Sequence, residues 1–178
     1  MKKKVLSIVA VVLVLCCAIG GTLAWLTDKT EPVVNTFTVG DINIELTETT
    51  TNYKMVPGNT ISKDPKVTVK ANSEACWLFV KVEKSTNFDQ YLSYEMADGW
   101  TKLEDGVYYR EVSAITANAD FTVLKDNQVQ VLDTVTKTML EAAKTDAPTL
   151  TFTAYAVQKD NVASAADAWA KAKANANA

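Results

Sequence analysis

Between residues 36 and 158 the chain is a series of short runs in which apolar and polar residues alternate, separated by turn-forming residues. A period of two sends successive side chains to opposite faces of a strand, so this pattern commits the segment to half-buried β-structure. Phe37 and Val39 alternate with polar neighbours, then Ile42, Ile44 and Leu46 alternate in the opposite phase. A slip of one residue at Gly40-Asp41 is what a β-bulge does to a strand. Pro57-Gly58-Asn59 predicts a turn, since proline fixes one φ and glycine frees the next. Lys66-Val67-Thr68-Val69-Lys70 reads as a half-exposed strand, and Cys76-Trp77-Leu78-Phe79-Val80-Lys81-Val82 as a central one that becomes wet only at Lys81 and Glu83. Asp105-Gly106 between Trp100-Thr101-Lys102-Leu103 and Val107-Tyr108-Tyr109-Arg110 is a strong hairpin signal. Shorter strands follow at residues 121–124 and 129–132, and a long one at residues 150–157. Many short strands at this spacing predict an all-β antiparallel sandwich.

Two segments break the pattern. Phe88, Tyr91, Leu92 and Met96 predict a short helical insertion, and residues 136–144 a further helix or loop. From Asn161 the composition turns to Ala, Lys, Asn and Asp. Ser164-x-x-Asp167 resembles a helix-starting cap, and Val162, Ala165, Ala166 and Trp169 share one face of the helix it would start. Trp169 is expected to dock this helix on the sandwich, and residues 174–178 to fray.

The N-terminus is of another kind. Lys2, Lys3 and Lys4 precede an apolar stretch at residues 5–19, Gly20-Gly21 breaks it, and Thr22-Leu23-Ala24 places small side chains where a signal peptidase requires them. Cleavage would occur between Ala24 and Trp25. The competing reading is an uncleaved anchor, because the apolar run to Leu26 is long enough to cross a bilayer. A lipoprotein is disfavoured, since Leu15 and Cys16 precede the two candidate cysteines. The domain reading is therefore a signal peptide at 1–24, an extended leader at 25–35, a β-sandwich at 36–160, and a helix and tail at 161–178.

Without residues 1–24 the chain keeps 154 of its 178 residues, with 15 basic against 21 acidic side chains. A net charge of −6 leaves no basic patch for phosphates, so no nucleic-acid partner is expected. The membrane would be touched only through the uncleaved signal. Cys16 and Cys17 leave with the signal, which strands Cys76 and excludes an intramolecular disulfide in the mature chain; Cys76 reads as a buried apolar residue. The sequence contains no histidine, which removes the commonest general base and zinc ligand. No catalytic residue, cofactor or metal site is assigned.

Thr22-Leu23-Ala24 with Trp25-Leu26-Thr27-Asp28, then Asn35-Thr36-Phe37-Thr38-Val39-Gly40 and Ile42-x-Ile44-x-Leu46, closely resembles the TasA/camelysin family of exported proteins. Val56-Pro57-Gly58-Asn59, Lys63-Asp64-Pro65 and Ala154-Tyr155-Ala156-Val157-Gln158 extend the likeness over roughly residues 20–169. The section at residues 87–144 matches least. The resemblance implies processing by a SipW-type signal peptidase at Thr22, Ala24 and Trp25, and a jelly-roll sandwich displayed outside a Gram-positive-type cell. In TasA-like members it implies a biofilm matrix fibre. The donor strand in such self-assembly would be the leader, with Trp25, Leu26, Thr27, Asp28, Val33 and Val34 as its pairing residues.

Three functions compete. A secreted structural or matrix protein without catalytic activity fits the signal, the all-β pattern and the missing site chemistry. A camelysin-like metalloprotease would have to build its zinc site from Asp, Glu and one Cys, a poor set for hydrolysis. A carbohydrate- or partner-binding module would use Trp100, Tyr108 and Tyr109 as an aromatic platform, although aromatic residues in a hairpin more often form core or cross-strand pairs.

Overall fold

A computed structural model describes residues 41–50 and 53–176, within a unit spanning Val39–Ala178. The predicted bulge at Gly40, the leader and the signal lie outside the described residues. Ten strands form three antiparallel sheets: β1 (Ile44–Thr47), β3 (Lys66–Val69) and β8 (Ala119–Thr122); β10 (Leu150–Gln158), β4 (Cys76–Lys84), β7 (Val107–Val112) and β6 (Thr101–Glu104); and β2 (Thr60–Ser62), β9 (Gln128–Val131) and β5 (Leu92–Ser93), each in that order across its sheet. This is the all-β sandwich that the alternation predicts.

The nine-residue β4 is the spine. It pairs along its whole length with β10, from Leu150 opposite Lys84 to Gln158 opposite Cys76, and on its other side with β7. Cys76, Leu78, Val80 and Val82 face the interior, where they meet Val67 and Val69 of β3 with Ile44, Leu46 and Phe121. Trp77 and Phe79 face the other way, under a helix. Two covered faces explain why this run is apolar throughout.

That cover is α3 (Ala165–Ala176), which follows α1 (Phe88–Tyr91) and α2 (Lys137–Ala142) in the chain. Ser164 starts it as expected: its Oγ accepts from the Asp167 backbone N–H at 3.2 Å and donates to the Asp167 carboxylate at 2.6 Å. Ala165, Ala168, Trp169 and Ala172 are buried against Trp77, Phe79, Val107, Tyr109 and Tyr155. Trp169 therefore docks the helix. Ala166, placed on that face from the sequence, is instead exposed, because the buried stripe runs through i, i+3, i+4 and i+7 from Ala165. The helix also continues through Ala174, where fraying was expected, since alanine has the best helix propensity.

Two local readings sharpen. In the hairpin, Asp105 and Gly106 form the turn, and Gly106 adopts φ +69° in the left-handed region. At Pro57-Gly58, Gly58 takes φ +77° and the Asn59 N–H closes the turn on the Val56 carbonyl at 3.1 Å. One reading changes: Thr68, expected to be half-exposed, is buried, because β3 is the central strand of its sheet and the Thr68 hydroxyl donates at 2.7 Å to Asp120, which also pairs with Lys66.

Candidate functional site

The residues assigned to processing and assembly, Thr22, Ala24, Trp25, Leu26, Thr27, Asp28, Val33 and Val34, lie outside the described residues. What the structure does supply is the surface that an added strand would have to join. Each sheet has two edges, and an unpaired edge is a row of free N–H and C=O groups open to another chain. Among the described residues five of the six edges are short. β2 and β5 have three and two residues, and β1, β8 and β6 have four each, with Glu45, Asp120, Lys102 and Glu104 among them. β10 is different: nine residues, Leu-Thr-Phe-Thr-Ala-Tyr-Ala-Val-Gln, with no charge and no proline. Among the described residues β4 is its only partner strand.

The aromatic residues considered as a platform do not form one. Trp100 and Tyr108 pack toward the sandwich interior, whereas Tyr109 lies on the opposite face among the residues under α3. Alternation along β7 forces this split. Trp100 is engaged further: its Nε1 donates to the Thr122 carbonyl at 2.8 Å and the Arg110 guanidinium lies 5.3 Å from its ring and 4.4 Å from that of Phe121. Cys76 is fully buried, and burial pushes its thiol up to about 11, so it stays protonated and unreactive near neutral pH.

A second feature has no counterpart in the sequence reading beyond its letters. Lys63, just after β2, is 8% exposed, and its ammonium pairs with the Glu48 carboxylate. The rings of Tyr53 and Phe152 stand 5.1 and 5.4 Å from its Nζ. The Tyr53 hydroxyl donates to the same Glu48 oxygen at 2.8 Å, and burial, then the Glu48 carboxylate, raises the Tyr53 phenol well above its ordinary range. Beside this trio opens a cavity of about 420 Å³ walled by Met55, Ile61, Phe88, Leu92, Val129 and Leu150. No spacing rule links residues 48, 53 and 63, and Ser62-Lys63-Asp64-Pro65 reads locally as a solvated turn. Only the packing of the segment after β1 against the end of β2 brings them together.

Among the described residues no group of three or more His, Cys, Asp or Glu side chains is arranged to hold a metal ion. None of the described helices is long and apolar enough to cross a membrane.

A family model described as camelysin metallo-endopeptidase matches residues 1–168. The chain belongs to the camelysin/TasA family. The match runs from the first residue through the sandwich into the first turn of α3, so it includes every motif on which the resemblance rests. This is a family of exported proteins. No curated protein and no solved structure matches.

Proposed function

We propose that this camelysin/TasA family member is an extracellular structural subunit without catalytic activity, which assembles when its leader, residues 25–34, is donated as an extra strand to the sheet of a neighbouring copy. The observation that carries this reading is β10, the long uncharged strand that among the described residues pairs on one side only, in a domain whose other described edges are short. Strand addition uses main-chain hydrogen bonds for affinity and leaves side chains to set the register. Each subunit gives one strand and accepts one, a head-to-tail contact that does not close and so extends into filaments. Five or six ladder bonds of about 0.5–1.5 kcal/mol each oppose an ordering cost of about 1–2 kcal/mol per residue, so side-chain burial must contribute and assembly is concentration-dependent. Electron microscopy and light scattering on residues 25–178 and 35–178 test the reading. Filaments from the longer form and a folded monomer from the shorter support it; filaments from both, or from neither at high concentration, refute it.

The family description favours a second reading, a metallo-endopeptidase. Zinc hydrolases hold the metal with three protein ligands, usually including histidine, and leave a position for water. This chain has no histidine, and Cys76 is sealed in the core. Casein cleavage by recombinant protein with added zinc, lost on mutating its own carboxylates, would establish the peptidase and overturn the non-catalytic reading.

A further inference from the structure

We propose that the cavity beside Lys63 binds a short acyl chain that ends in a neutral carbonyl, such as an aliphatic amide or ester, independently of any assembly through β10. An ammonium carries three N–H donors. At Lys63 one is taken by Glu48, and among the described residues the others meet only the faces of Tyr53 and Phe152. A group that is almost entirely removed from water thus has donors that meet no further oxygen among the described residues, on the wall of a space large enough for a ligand. Apolar walls with a few convergent polar groups are the usual composition of small-molecule sites.

The charge balance selects the head group. Glu48 already neutralises Lys63, so a carboxylate would bring in a buried negative charge without a counter-ion, and an ammonium would face the Lys63 ammonium. A carbonyl oxygen accepts from Lys63 Nζ and adds no charge. Ile61, Leu92, Val129 and Leu150 offer hydrocarbon to the chain, and Met55 a largely apolar thioether. At about 30 Å³ for a water-sized group, 420 Å³ holds on the order of ten heavy atoms, which limits the ligand to a short chain.

The test is a titration of the purified secreted form, labelled at its methyl groups, followed by NMR. Hexanamide should shift the methyl resonances of Met55, Ile61, Leu92, Val129 and Leu150 saturably, hexanoate should bind about ten-fold more weakly, and hexylammonium should leave them in place. Lys63→Met should weaken hexanamide about ten-fold or more. Should that variant fail to fold, Ala147→Phe, at an exposed position on the cavity wall, should abolish binding with an unchanged melting temperature. No shifts up to the solubility limit, equal shifts from hexylammonium, or undiminished binding by a folded Lys63→Met or Ala147→Phe protein would overturn the proposal. So would binding of acetyl-Val-Val-amide but not hexanamide, which would make the cavity a peptide site.

Discussion

Replacing Trp169 with alanine should release α3 while the sandwich stays folded. The indole is 4% exposed, its ring centroid lies 5.3 Å from Phe79 and 5.2 Å from Tyr155, and its Nε1 donates to the Glu104 carboxylate at 2.6 Å. Truncating a buried tryptophan costs about 3–5 kcal/mol. The hydrogen bond adds little, because the Glu104 side chain is about half exposed and water can replace the lost donor. What remains to hold the helix is Ala165, Ala168 and Ala172, whose methyl groups contribute about 2 kcal/mol together at about 0.8 kcal/mol each. A helix of 12 residues is marginal by itself in water, so this remainder does not keep it formed. The strands do not depend on α3 for pairing. Trp169→Ala should therefore lose helical far-UV signal, expose Lys171 and Lys173 to trypsin and gain dye binding on the face formed by Trp77, Phe79 and Tyr155, while β4 and β10 amides stay protected from exchange. Trp169→Phe, which keeps a ring in the stack, should cost about 1–2 kcal/mol and keep the helix. Unchanged amide protection in α3 of Trp169→Ala, or collapse of β4 protection along with it, would refute the reasoning.

Gly106→Ala should destabilise by about 2 kcal/mol or more in a urea melt, since an alanine at φ +69° is strained and its Cβ would lie 2.6 Å from the Val82 carbonyl oxygen. Cys76 should react with a thiol reagent only at the rate of unfolding. Because burial raises its folded-state value to about 11 against about 8.5 unfolded, its contribution to stability is intact below pH 8.5 and falls as pH rises toward 11, by on the order of 1 kcal/mol per pH unit; the urea midpoints of wild type and Cys76→Ala should converge over that range. Ala24→Arg should leave the precursor uncut, with an N-terminus read by sequencing at Met1 or Lys2 rather than Trp25.

Most strands were legible because one face is buried and the other is wetter, which writes period two directly into the sequence, whereas β4, covered on both faces, shows as a continuous apolar run. The hairpin at Asp105-Gly106 and the cap at Ser164 were legible because they depend on two or three neighbouring residues. β2 was not, being three residues long between a turn and Lys63-Asp64-Pro65. β8 begins at Ala119, two residues before its first large apolar side chain, because backbone pairing with β3 continues where the side chains carry no pattern. The environment of Lys63 was beyond reach for a different reason: a lysine is almost never buried without a partner, and the partner here is Glu48, 15 residues away and identifiable only after two loops have packed.

The doubly covered sheet also constrains how another chain can approach it. Along β10, Phe152, Ala154 and Ala156 are committed to the sandwich interior, and Tyr155 and Val157 to the contact with α3. Most of its side chains stay half-buried under these layers, and a partner that stacked upon either face would have to displace a layer of the protein, at a cost of several kcal/mol for α3 alone. Strand addition at the edge carries no such cost, because it leaves both layers in place and uses main-chain groups that no described strand pairs. A copy of this protein that joins the sheet through β10 therefore adds a strand in line with it rather than stacking upon it. That geometry asks for an extended segment with free backbone groups, the part proposed above for residues 25–34.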